Sequence, residues 1–157
     1  MESKTNVMRI LDQKKVPYQS HCYAQTDAVS GVEVAQVLGQ NPDQVFKTLV
    51  TFGASGGNFV FVIPASGELD LKKAAKACGR KSIEMIPQKL LFPLTGYIHG
   101  GCSPIGMKKP LSGTFIDETA ILYDYICVSA GKVGTNIGIH PEKLADFVNA
   151  SFADLTR

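Results

Sequence analysis

The stretch Val45-Phe46-Lys47-Thr48-Leu49-Val50-Thr51-Phe52, then Gly53-Ala54-Ser55-Gly56-Gly57-Asn58, then Phe59-Val60-Phe61-Val62-Ile63 decides the fold class. Both outer runs are rich in β-branched and aromatic residues, and the segment between them is small, polar and glycine-rich. They read as an antiparallel hairpin. Working outward, the turn Asn41-Pro42-Asp43 feeds the first strand, and Asp70 to Cys78 reads as a helix stopped by Gly79. Val7, Ile10 and Leu11 recur at helical spacing in a segment closed by Pro17, and Tyr18 to Tyr23 reads as a short strand. Ser30, an N-cap with Glu33 at the capping-box position, opens a helix that runs to Leu38 before Gly39. Pro87 to Phe92 begins another short helix. Beyond Gly96 the chain is glycine-rich and strand-like, through Thr114-Phe115-Ile116 and Tyr125 to Val128. Pro141 to Phe152 reads as a final helix with Leu144, Phe147 and Val148 on one face. Helices and strands are mixed rather than strictly alternating. The expected class is α+β with a largely antiparallel or mixed sheet.

The chain has 157 residues, a length that suits one domain over 1–157 and leaves little room for two. Such a chain buries roughly two thirds of its unfolded surface and needs no disulfide or metal to hold it. A net charge of +2 excludes a polybasic protein that grips nucleic acid by bulk electrostatics. A local patch that touches RNA remains open. The N-terminus has no apolar stretch of signal-peptide type, and no run approaches the length of a membrane span. Cys22, Cys78, Cys102 and Cys127 are unevenly spaced with no CxxC pair, which points to free thiols in a reducing cytoplasm.

Two motifs fail on inspection. Ala130-Gly131-Lys132-Val133 lacks both the earlier glycine and the hydroxyl residue of a P-loop, and Gly96 to Gly101 is no dinucleotide fingerprint. His21 and Cys22 point to opposite faces of a strand, and His99 near Cys102 has no further ligand at metal-site spacing. No metal or cofactor is expected. Lys47 shares a strand face with Val45 and Leu49, opposite Phe46, Thr48 and Val50. A lysine between two apolar faces either snorkels at a rim or holds an anion in a pocket, and the pattern does not choose. Gly100-Gly101 in Gly100-Gly101-Cys102-Ser103-Pro104-Ile105-Gly106 either lets a backbone approach a ligand or makes a bulge or turn. Ser129 in Val128-Ser129-Ala130-Gly131-Lys132 has no placed histidine base, so it suits a ligand hydrogen bond better than nucleophilic attack. Lys72, Lys76 and Arg80 form a stripe at four-residue spacing, with Lys108-Lys109 after the glycine loop. That stripe reads as a solvated face or as a guide for a few phosphates.

Four runs in order carry a resemblance: Asn41 to Leu49, Leu69 to Ala75, Thr95 to Gly106, and Val128 to Lys132. Together they resemble the YbaK/EbsC family of free-standing aminoacyl-tRNA deacylases, related to the editing insertion of bacterial prolyl-tRNA synthetase. The resemblance runs from about Val7 to the C-terminus. It implies a mixed, barrel-like β-core wrapped by helices. It implies removal of cysteine from Cys-tRNA(Pro) and Cys-tRNA(Cys), with cysteine's own thiol attacking its ester. It implies catalytic roles for Lys47 and Gly101, and substrate contacts from Tyr23, Ser30, Thr48, Gly100, Ser103, Ser129 and Asn136. Two positions depart from the family pattern: Ser30 stands where phenylalanine is common, and Asn136 where aspartate is often found. The implied partners are the aminoacyl-tRNA 3′ end and, transiently, prolyl-tRNA synthetase, with the protein acting as a cytoplasmic monomer. Two other readings stay open: water-driven hydrolysis of Ala-tRNA(Pro), and a non-catalytic module that docks tRNA or a synthetase.

Overall fold

The chain is described from a computed structural model, which covers residues 4–24, 26–28 and 30–157. Strand β2 (Phe46–Gly53) and strand β3 (Asn58–Pro64) form the expected hairpin, paired in register from Phe46↔Pro64 to Phe52↔Asn58. Its side chains sort by parity. Val60 and Val62 enter the larger core with Val7, Met8 and Leu11 of helix α1 (Asn6–Gln13). Phe59, Phe61 and Ile63 enter a second core under Ala74 and Ala75 of helix α3 (Leu71–Cys78). A strand buried on both faces reads as an unbroken apolar run, which is how β3 reads.

The strands form two sheets. One is β1-β7-β6, from β1 (Gln19–Cys22), β7 (Thr135–Ile139) and β6 (Ile126–Lys132), antiparallel throughout. The other is β4-β2-β3-β5-β8, adding β4 (Ile83–Met85), β5 (Gly113–Asp117) and β8 (Ser151–Ala153). Here β5 runs parallel to β3, and β8 parallel to β5, so this sheet is mixed. Helix α2 (Gly31–Leu38) carries the expected capping box between Ser30 and Glu33 and ends at the left-handed Gly39. Helix α4 (Leu91–Thr95) follows a short 3₁₀ turn at Gln88–Leu90. None of the helices is long and apolar enough to cross a membrane among the described residues.

The α+β class stands, but the barrel-like core does not close. Among the described residues the two sheets meet at one parallel bridge, Val45↔Cys127, where the Cys127 N–H donates to the Gln44 carbonyl at 2.9 Å. Beyond it β2 follows β3 and β6 follows β7, so the sheets part. Three further differences concern elements. Helix α5 (Pro141–Val148) stops earlier than Phe152, because Asn149 adopts a left-handed conformation and caps it. The chain then extends into β8. The strand expected to reach Val128 runs on to Lys132, with a bulge between Ser129 and Lys132. Thr135–Ile139 and Ile83–Met85 are strands that the pattern did not single out.

Candidate active site

The parting of the sheets creates the site, and hydrogen-bond parity shows how. Gly53 N–H donates to the Gly57 carbonyl at 3.0 Å, and Ala65 N–H to the Val45 carbonyl at 2.7 Å. Odd-numbered residues of β2 therefore bond to β3, and even-numbered ones turn their main-chain groups to the opposite edge. On that edge Cys127 occupies the place beside Val45, and Ile86 N–H reaches the Val50 carbonyl at 3.3 Å. Between these contacts the main chain of Thr48 faces the seam where β6 has diverged.

A cavity of about 290 Å³ fills that seam. Its walls come from Val45 to Leu49 of β2, Val128 and Ser129 of β6, Asn136 of β7, the start of α2, Tyr23, and the His99 to Cys102 loop. The bulge after Ser129 helps to bend β6 away from β2. Lys47 is half-buried and lines the cavity. No carboxylate is among the lining residues, and Lys47 makes no ion pair among the described residues. The seam therefore presents one uncompensated ammonium, which suits an anionic or carbonyl-bearing ligand.

Seven of the nine expected site residues converge here: Tyr23, Ser30, Lys47, Thr48, Gly100, Ser129 and Asn136. Thr48 Oγ1 and Asn136 Oδ1 are both buried without a hydrogen-bond partner. Ser129 and Asn136 stand opposite each other across β6 and β7 and so share a face. Ser129 Oγ accepts from Gly131 N–H at 3.1 Å, so the hydroxyl is tied to its own bulge rather than to a base. Ser30 Oγ accepts from Glu33 N–H at 3.2 Å, which makes Ser30 a helix cap at the rim.

Two expected residues lie elsewhere. Ser103 is fully buried away from the cavity, its Oγ accepting from Ile105 N–H at 3.2 Å in a turn. Gly101 does not line the cavity, and its N–H donates to the Ile98 carbonyl at 3.0 Å. The glycine is needed for packing: a Cβ there would lie 3.0 Å from Val133 N and 3.1 Å from the Lys132 main chain. Of the pair, Gly100 lines the cavity, with a φ of +87°.

Residues the pattern did not single out for the site also line it, notably His99, Leu91 and Cys102. Burial pushes the Cys102 thiol up to about 12, so it stays protonated at neutral pH. Among the described residues no group of three or more His, Cys, Asp or Glu is placed to hold a metal ion. The Lys72–Lys76–Arg80 stripe does not reach the cavity. Arg80 instead fastens the β2–β3 loop, donating to the Gly56 carbonyl at 3.1 Å with its guanidinium 5.0 Å from the Phe59 ring centre.

A small seam cavity between two sheets, with a lysine on one wall and a glycine loop on the other, defines an editing-domain architecture. Residues 26–147 match the aminoacyl-tRNA editing domain family, and the chain belongs to that family. It is 49% identical over 156 residues to EbsC of Enterococcus faecalis, a protein named as a candidate Cys-tRNA(Pro)/Cys-tRNA(Cys) deacylase. That match covers 99% of this chain and 94% of the relative. Among solved structures, a candidate trans-editing enzyme for prolyl-tRNA synthetase superposes with a TM-score of 0.83 at 25% identity, covering 99% of each chain. The hypothetical protein APE2540 shares the fold, with a TM-score of 0.88 at 20% identity over 98% of this chain and 100% of its own.

Proposed function

We propose that this protein is a trans-acting deacylase that removes cysteine from Cys-tRNA(Pro) and also acts on Cys-tRNA(Cys). The observation that carries the reading is the seam cavity, with Lys47 as its unpaired charge and no activated protein nucleophile in its wall. A cavity of about 290 Å³ suits an aminoacyl group and the ester joining it to the ribose, not a folded acceptor stem. The name carried by the Enterococcus relative supports the choice of amino acid.

An aminoacyl ester is already activated, so positioning and electrostatic stabilisation suffice. Ser129 is engaged by its bulge, and Cys102 is held as a neutral thiol. Neither supplies the nucleophile in this reading, which assigns it, as the family resemblance implies, to the substrate's own sulfur. It attacks the ester carbonyl as a C–S bond forms and the C–O bond to the ribose breaks. The thiol proton passes to the departing 3′-oxygen, which leaves as the tRNA hydroxyl, and water then opens the thiolactone to free cysteine. Gly100 N–H polarises the carbonyl. Lys47 holds the ribose–phosphate end and stabilises the developing oxyanion. Selectivity rests on thiol chemistry, which discriminates where pocket size alone separates small side chains poorly.

The rest of the reading follows. The chain acts as a single editing domain over 1–157, as a cytoplasmic monomer that meets the 3′ end of an aminoacyl-tRNA. Prolyl-tRNA synthetase recruits it transiently, because a cavity of this size reads the amino acid and not the tRNA body. Deacylation of Cys-tRNA(Pro), Ala-tRNA(Pro) and Ser-tRNA(Pro) by wild type and Lys47→Ala tests it. Cysteine is expected to leave fastest, and the variant to be nearly inactive. Full activity in Lys47→Ala would remove the lysine from the mechanism, and binding of tRNA without turnover would leave a docking module.

A further inference from the structure

The cavity holds two buried polar atoms that nothing in the protein satisfies, Asn136 Oδ1 and Thr48 Oγ1. Strand parity separates them: Thr48 pairs with Val62 on the face of the larger core, whereas Asn136 pairs with Ser129 on the face of Cys127 and Val45, the face that Lys47 shares. Asn136 is only 4% exposed, so solvent does not satisfy its oxygen from the surface. An unmade hydrogen bond at a buried amide is costly, and a site that keeps one is matched to a donor brought by its ligand. The opposite end of the same amide is engaged: Asn136 Nδ2 donates to Gln40 Oε1 at 3.2 Å, a contact across 96 positions of sequence.

That contact fixes the orientation of the amide. Gln40 follows the left-handed Gly39 that closes α2, and its N–H donates to the Ala35 carbonyl at 2.8 Å, so its backbone is tied to the helix end. Its side chain offers an acceptor to Asn136, which requires Asn136 to present nitrogen on that side and oxygen on the other. Asn136 itself sits on the central strand of its sheet, flanked by Ser129 and His21, so its backbone has little freedom to compensate.

Granted the deacylase reading, we propose that Gln40 is a positioning residue for substrate recognition. It holds Asn136 so that Oδ1 faces the cavity, where Oδ1 receives the α-ammonium of the aminoacyl group. An ammonium brings three donors and needs acceptors. Asn136 Oδ1 supplies one without a carboxylate, so Lys47 stays without an ion-pair partner and is left for the carbonyl side of the reaction. That amide acceptor also does not titrate, so recognition of the ammonium tracks the ligand's protonation and not the protein's.

The test uses two non-hydrolysable probes, 3′-(L-cysteinylamino)-3′-deoxyadenosine and its 3-mercaptopropionyl counterpart, which lacks only the amine. Binding is followed by NMR titration of wild type, Gln40→Leu and Gln40→Glu. Wild type is expected to bind the amine-bearing probe about tenfold more tightly, the scale of one hydrogen bond to a charged group. Gln40→Leu should lose most of that preference while binding the amine-free probe as wild type does. Gln40→Glu keeps an acceptor at the same place and should retain the preference. An equal loss for both probes in Gln40→Leu would show a merely structural role and overturn the proposal. So would an unchanged preference in Gln40→Leu, or a wild type that binds the probes equally or binds neither. Failure of the deacylase reading looks different, because the amine preference would persist in a wild type that does not turn over Cys-tRNA.

Discussion

Strand β2 has two edges with opposite fates. Along one, it pairs with β3 over seven residues, and helix α3 seals the face carrying Phe59, Phe61 and Ile63. Along the other, Val45 just before the strand bridges Cys127 of β6 and the far end pairs with β4 over three residues, and between these contacts no strand is paired with it among the described residues. The first edge holds the fold together. The second leaves polar groups without partners, and the cavity forms there. Stability and the cavity are thus placed on opposite sides of one strand.

The largest expected effect is on the sealed side. Phe61 is fully buried and stacks on Phe115 with ring centres 5.5 Å apart. Phe61→Ala should cost about 3–5 kcal/mol in urea unfolding, while the folded fraction keeps its deacylation rate. A normal stability in this variant would remove the sealed edge from the account. Lys47→Ala is the converse: Tm should hardly move, and kcat/KM should fall roughly a hundredfold. Gly101→Ala lies at the border between the two regions, since its Cβ would press on the Lys132–Val133 main chain. It should destabilise the protein by about 1–3 kcal/mol and lower activity only through that loss. If activity falls with stability intact, Gly101 acts on the substrate directly.

The cysteines offer a finer probe. Burial pushes the Cys102 and Cys127 thiols up to about 12, whereas Cys22 is exposed. Below that value they remain protonated, so at pH 8 iodoacetamide should label Cys22 first, as read by mass spectrometry. Rapid labelling of Cys102 would mean an activated thiol in the cavity and a protein nucleophile to reconsider. The smallest effect is expected from Lys72→Ala with Lys76→Ala, on the exposed surface of α3 away from the cavity. Their kcat/KM should stay within about twofold at physiological salt. A larger, salt-dependent drop would make that stripe a phosphate guide.

The hairpin was legible because its β-branched runs and glycine loop are local signals, and the capping box of α2 was legible for the same reason. Strand β7 was not. Gly134 precedes it and Gly138 interrupts it, and its strand character comes from pairing on both sides with β1 and β6. Asn136 sits on that strand, so family resemblance alone singled it out, and its contact with Gln40 is visible only in the fold. The glycine pair illustrates the remaining limit. A sequence shows that Gly100 and Gly101 permit close approach, but not that Gly100 approaches the cavity while Gly101 approaches β6.

The central claim is that the open seam of β2 releases cysteine using the substrate's own thiol. Single-turnover deacylation of Cys-tRNA(Pro) against Ala-tRNA(Pro) by the wild-type protein tests it most directly. Rapid release of cysteine with alanine nearly untouched is the predicted result. Release of alanine as fast as cysteine would contradict it.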